Sequence, residues 1–247
     1  MSFKQKFALA ILGVAVVASL GAGYLVQSSY SEQFSDAISA PPSARFWLGT
    51  DELGRDRFAR LLYGTRVSML LAPAAALLAT LIAGLIGGAA GYLGGRWERM
   101  ITAGVDLFLS LPWLFLLLGC LGWAGPARII RAGTRTLVNS DFLVQASASG
   151  VSRWRLFWRH LLPNLRPVLL AQFWISIPLF ILSEANLGLL GLGVSEPLPS
   201  WGAMLRDLEN YSAVLQNPWM LAPAVLLVAV VGCLQLLLGT EERGVSC

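Results

Sequence analysis

Two serines, Ser147 and Ser149, and the single histidine, His160, are the residue types that a nucleophile and its general base require. They lie in one block, DFLVQASASGVSRWRLFWRHLLPNLRP, Asp141 to Pro167. His160, however, follows an arginine- and tryptophan-rich stretch and reads more simply as an interfacial residue. The sequence has no G-x-S-x-G elbow, no H-E-x-x-H pair and no G-x-x-x-x-G-K-[ST] phosphate loop. The chain therefore carries no ATPase motif of its own, and no enzymatic activity is expected. Cys120, Cys233 and Cys247 show no metal-ligand spacing, and an odd count gives no disulfide framework. With one histidine, neither a metal site nor a cofactor is expected. Glu184 and Asn186, in FILSEANLGLLGLG, remain. A carboxylate inside an apolar run is by default a candidate for a translocation path. Counted from Pro167, Glu184 stands about 26 Å along a helix. That is near the outer interface, where charge costs less, so an interfacial or helix-packing role is preferred.

The elements that position these residues are membrane elements. The 247 residues are 56% hydrophobic and 13% charged, against about 25% charged for a soluble domain. Mean hydropathy is +0.66. This composition implies a helical, all-α integral membrane protein. The net charge of +4 gathers in short segments beside apolar runs, as membrane orientation requires, and nucleic acid is not an expected partner. Apolar runs long enough to span, about 20 residues, occur at Phe7–Val26, Val67–Leu93, Val168–Leu192 and Trp219–Gly239. The first follows Lys4 and Lys6 and is read as an uncleaved signal-anchor helix rather than a cleaved signal peptide. Residues 1–66 then form an N-terminal helix and external loop, and residues 67–240 a transmembrane domain with an inner loop over 128–166.

The positive-inside rule orients these runs with the N-terminus in the cytoplasm. It sets Gln27–Arg66 outside, Gly94–Ile101 with Arg96 and Arg99 inside, and the acidic Gly193–Pro218 outside. Arg128–Arg166 carries seven arginines against Asp141 alone and also belongs inside. A fifth apolar run, Thr102–Ala127, then separates two inner segments. At about 39 Å it is one crossing, not two. Three readings stay open: a re-entrant hairpin broken near Gly119 and Gly122, an arginine segment that faces out, or a chain lacking a helix.

Shorter patterns add detail. Phe58, Leu61 and Leu62 fall at the spacing of an amphipathic surface helix, with Arg57 and Arg60 pointing elsewhere. An ordered loop with surface ion pairs such as Asp56 with Arg60 accounts for the same residues and is preferred. Gly84 with Gly88, and Gly87 with Gly91, recur at four-residue spacing, which lets helices approach closely in lipid. Whether the neighbour is this chain or a partner stays open. In the opening block, Val144–Gly150 is nearly without side-chain bulk and ends at a glycine, a shape suited to entering a groove on another protein. Trp154, Phe157, Trp158 and Leu161 fall on one helical face, with Arg155 and Arg159 placed to reach lipid headgroups. Pro163 and Pro167 are expected in the first turn of the next span.

Four blocks, GTDELGRD, YGTRVSML, DFLVQASASG…RHLLPN and SEANLGLLGLGVSEPLPSWG, in register over most of Tyr30–Gly239, resemble the C-type membrane permease subunits of bacterial peptide and nickel ABC importers. The resemblance implies the type I importer permease fold with six helices, of which five apolar runs are found. It implies a second permease subunit, as a heterodimer, two ATPase subunits and an external solute-binding protein. It makes the opening block a coupling loop, with Asp141, Val144, Gln145, Ala146, Ala148, Gly150 and Arg153 against the ATPase and Trp154, Phe157, Trp158, Leu161 and Pro163 in the interfacial helix behind. It places Asp51, Arg55, Asp56, Glu196 and Trp201 on the face that receives the binding protein; Trp201 also suits the outer membrane interface by its residue type. The family's coupling motif commonly starts Glu-Ala-Ala; here Val144, Gln145 and Ala146 stand instead. The family also has two helices between positions like Leu111-Pro112 and the arginines before the coupling loop, where this chain supplies about one.

Overall fold

The computed structural model describes residues 3–26, 28–110 and 122–239. Among the described residues the protein is all α, with no strand and one isolated bridge between Thr50 and Asp56. Four helices are long and apolar enough to cross a membrane: Phe3–Leu20, Arg57–Leu93, Arg153–Leu189 and Pro218–Leu238. They coincide with the four expected runs, because an apolar backbone in lipid satisfies its own hydrogen bonds only as a helix. In chain order the α-helices are α1 (Phe3–Leu20), α2 (Ala22–Leu25), α3 (Arg57–Leu93), α4 (Gly95–Ser110), α5 (Ala124–Val138) and α6 (Asp141–Ala148). There follow α7 (Arg153–Leu189), α8 (Trp201–Arg206), α9 (Tyr211–Gln216) and α10 (Ala222–Leu238).

The described chain groups into two compact units. One contains residues up to Ala72 and from Pro178 onward; the other is Pro73–Ile177. In the first, α1 packs on α10, and Leu61 and Leu62 of α3 are buried. No separate surface helix precedes the span, nor is there a loop there. Asp56 Oδ1 accepts the backbone N–H groups of Phe58 and Ala59 at 2.9 and 3.3 Å. That capping starts α3 at Arg57, and the helix then runs 37 residues.

The second unit bears on the charge conflict. In α4, Glu98 Oε1 accepts from Arg131 and Arg135 of α5 at 2.7 and 2.6 Å. Further along, Asp106 lies 3.4 Å from Arg128. Rising numbers in α4 meet falling numbers in α5, so the two helices are antiparallel. Against α3, α5 is parallel: Gly87 lies on Ala127, and Gly91 on Arg131 and Thr134. Arg96 and Arg99 thus come to the same end of the pair as the last turn of α5. The expected connection Arg128–Arg166 therefore begins with a helix, and three of its seven arginines are paired with acids of α4. The suggested break near Gly119, and Leu111 and Pro112, lie outside the described residues. With 16 and 15 described residues, α4 and α5 measure about 24 and 22 Å. A hydrocarbon core is about 30 Å thick.

Close packing depends on glycine at particular places. A Cβ at Gly87 would overlap the Ala127 carbonyl, and one at Gly91 would meet the Arg131 carbonyl oxygen at 2.7 Å. One at Gly84 would crowd Leu169 at 3.1 Å, while Gly88 has nothing within 4 Å. Gly84, Gly87 and Gly91 therefore serve packing within this chain. Ala83, Ala127, Ile130 and Leu165 form the core beside them.

Two outcomes follow for this unit. Gly87→Ala should lower stability in detergent by about 2 kcal/mol, as overpacking does, while Gly88→Ala leaves the melting temperature unchanged; thermal unfolding of both variants checks this. Burial disfavours the Glu98 charge, but the hydrogen bonds from Arg135 and Arg131 outweigh it and hold its pKa below the usual carboxylate value. A depressed folded pKa gives stability that is complete above the unfolded value, about 4.3, and is lost as pH falls through the folded one. Glu98→Gln should therefore cost about 2 kcal/mol at pH 7, and the difference from the parent should shrink below about pH 4 in melts recorded against pH.

Candidate functional site

The block predicted to couple is a short helix with one anchored side. Leu143 of α6 is 2% exposed and packs with Leu156 and Leu161 of α7. Ala146 is half-buried beside them. Asp141, Val144, Gln145 and Ala148 are exposed. The helix ends in a paired turn: the Gly150 N–H donates to the Ser147 carbonyl at 3.1 Å and that of Val151 to the Ala146 carbonyl at 3.4 Å. This termination needs a left-handed residue, and Gly150 supplies it at φ +78 with nothing within 4 Å of a built Cβ. Arg153 is also exposed. The expected coupling residues thus form one open, low-bulk surface, apart from Ala146.

The interfacial helix differs from its expected form. Leu156–Leu161 is π-helical, with the Leu162 N–H donating to the Phe157 carbonyl five residues back. Pro163 has no N–H for the Arg159 carbonyl and would crowd it in an α-helix; the widened turn stands directly before it. The π spacing buries Leu156 together with Leu161 and divides the expected face. Leu161 goes inward, Phe157 is half-buried, and Trp154 and Trp158 stay exposed, stacked edge to face at 5.5 Å. Pro163 and Pro167 do not open a new helix, since α7 continues through both to Leu189.

The first unit carries an ion network. Asp51 Oδ1 accepts the backbone N–H groups of Leu53 and Arg55, at 2.9 and 2.8 Å. Its Oδ2 takes Arg55 Nε at 2.7 Å. The same guanidinium grips Glu196 with two bonds, 2.9 and 3.1 Å, the fork geometry that arginine favours with carboxylates. Arg60 lies 3.5 Å from Glu196, and Arg57 3.4 Å from Asp207. Burial works against the Arg55 charge, but Glu196 and Asp51 more than offset it, raising its pKa. The hydrogen bonds from Arg55 hold the Glu196 carboxyl below the usual range. Of the residues expected at the outer face, Asp51, Arg55, Asp56 and Trp201 are buried; only Glu196, at 57% side-chain exposure, is open. Asp56 does not pair with Arg60. It caps α3 and accepts from Ser28 at 2.8 Å.

Trp201 is fully buried, which corrects its placement at the membrane interface. Its indole N–H donates to Thr65 Oγ1 at 3.0 Å, and its backbone N–H to Ser68 Oγ at 3.2 Å. Ser68 in turn donates to Glu184 Oε2 at 3.0 Å. Behind this relay, Gly188 and Gly202 touch backbone to backbone, and a Cβ on Gly202 would meet the Glu184 carbonyl oxygen at 2.6 Å. Glu184 is thus held in a packed join of α3, α7 and α8, as the packing reading of this acid expects, while Asn186 is exposed. Arg57, Arg60, Thr65 and Ser68 were missed as members of these networks. An arginine at helical spacing beside leucines reads as solvent-facing until its carboxylate, more than a hundred residues away, is known.

Residues 52–240 match the family of binding-protein-dependent transport system inner membrane components. The dipeptide transport system permease protein of Bacillus subtilis (strain 168) is 33% identical over 237 positions, covering 87% of this chain and 73% of that protein. The oligopeptide transport system permease protein of Haemophilus influenzae is 30% identical over 254 positions, covering 94% and 81%. The probable D,D-dipeptide transport system permease protein of Escherichia coli (strain K12) is 36% identical over 210 positions, covering 77% and 70%. In each match the aligned stretch exceeds the residues this chain contributes by roughly twenty positions, about one spanning helix. With four membrane-length helices among the described residues and this match over most of its length, the chain belongs to the binding-protein-dependent transport system inner membrane components, the permease subunits of ABC importers.

Proposed function

We propose that this chain translocates peptides across the cell inner membrane, as one of two permease subunits served by two ATPase subunits and fed by an external solute-binding protein. The named relatives support peptide cargo, two of them being dipeptide permeases and one an oligopeptide permease. The observation that carries the reading is α6, anchored on one side by Leu143 with Ala146 beside it and open on its remaining faces. Closure of the ATPases on ATP displaces α6. Leu143 passes the displacement to Leu156 and Leu161, and so to the span that they begin, alternating the access of a central path. In this reading Lys4, Lys6, Arg96, Arg99 and α6 face the cytoplasm. The Arg55–Glu196 network faces outward and holds Glu196 toward the binding protein. Trp154 and Trp158, with Arg155 and Arg159, rest on membrane lipid.

A second reading rests on the roughly twenty positions that the relatives have and this chain lacks and on the short pair α4 and α5. It makes the chain a permease remnant that binds partners without transporting. Uptake separates the two. Cells co-expressing the chain with its ATPases, second permease and binding protein should accumulate labelled dipeptide in an ATP-dependent manner; a remnant assembles without uptake. Gly150→Trp places a bulky, strained residue on the open face and should reduce ATPase co-purification at least tenfold while the spans stay folded. Undiminished co-purification contradicts the role of this helix.

A further inference from the structure

The inner end of α3 touches the coupling block at one polar point. Tyr92, in the last turn of α3, donates its hydroxyl to the Arg153 carbonyl at 2.7 Å. That carbonyl also accepts the N–H of Leu156. The ring of Tyr92 stands edge-on to Phe157 at 5.4 Å and packs against the cluster of Leu143, Leu156 and Leu161. Arg153 opens α7, and the π-helical turn Leu156–Leu161 follows at once. A π turn has poorer packing and hydrogen-bond geometry than an α turn and persists where its surroundings hold it. Gly94 and Gly95, both left-handed and in open space, end α3 one residue after Tyr92. The ring and hydroxyl of Tyr92 are therefore the last grip of this span on the coupling block.

We infer that Tyr92 is a positioning residue for transport: its hydroxyl fixes the start of α7, so that movement of the coupling helix reaches the span as a rigid displacement instead of being absorbed in the π turn. The inference rests on the proposed function for its consequence, but its structural half concerns this chain alone. Without the hydroxyl, the Arg153 carbonyl keeps only a local partner, the π turn exchanges between geometries, and α6 moves without carrying α7. The Phe157 contact needs only the ring, so a phenylalanine at position 92 keeps the packing.

The test is Tyr92→Phe, read in two ways. In the purified chain in detergent, amide hydrogen exchange over residues 154–161 should quicken about fivefold, the population effect of one hydrogen bond, with exchange in α10 unchanged. In the assembled transporter, ATPase subunits should co-purify at the parent level while peptide taken up per ATP hydrolysed falls about fivefold. Unchanged exchange over 154–161 overturns the inference, whatever the chain transports. Quickened exchange with an unchanged uptake-to-hydrolysis ratio overturns the positioning role. If the parent chain itself retains no ATPase, the proposed function fails, and the exchange measurement still decides whether Tyr92 holds the π turn.

Discussion

A buried carboxylate holding two arginines organises the second unit. Glu98 is 6% exposed, and an uncompensated charge there would be strongly destabilising. It is compensated by Arg131 and Arg135 of α5, which runs the other way. That pairing joins α5 to α4. It places the glycine face of α3 under Ala127 and Thr134, and it delivers the chain at Ser140 to the end where α3 finished. Helix α6, its anchor Leu143 and the π turn of α7 all follow from that point. Removing a few methylenes elsewhere in this unit would cost packing; removing this carboxylate would take from Arg131 and Arg135 the acid that both hold.

The first unit is organised on a similar principle with different chemistry. Arg55 holds Asp51 nearby and Glu196 141 residues further along the sequence, and Trp201 is bonded to Thr65 and Ser68. The backbone contact of Gly188 with Gly202 admits no side chain between α7 and α8. Charge pairing and glycine contact thus set the positions of the loops of this unit.

What was legible in the sequence follows from which forces are local. The four spans read directly, since twenty apolar residues have no other use. The end of α6 was legible in Gly150, because a left-handed turn is a local requirement. The burial of Arg57 and Arg60 was not legible, because their partners Asp207 and Glu196 are distant in sequence. Helical spacing put Trp154 and Trp158 on one face with Leu161; the π turn before Pro163 changed that face by one residue per turn. The charge rule detected that Gly94–Ile101 and the arginine segment belong together. It overcounted the free charge, since Arg128, Arg131 and Arg135 are paired with Asp106 and Glu98, and the antiparallel course of α4 and α5 brings the two segments to one end of the pair.

The most direct measurement compares the sidedness of those two segments. In a chain with Cys120, Cys233 and Cys247 replaced, single cysteines at Arg99 and at Ser147, both exposed positions, would be offered a membrane-impermeant thiol reagent in intact cells and again after lysis. An antiparallel α4 and α5 that return the chain to its starting side predict the same result at both: protection in intact cells and labelling after lysis. Labelling of Ser147→Cys in intact cells while Arg99→Cys stays protected would put the segments on opposite sides of the membrane and contradict both the hairpin and the coupling role built on it.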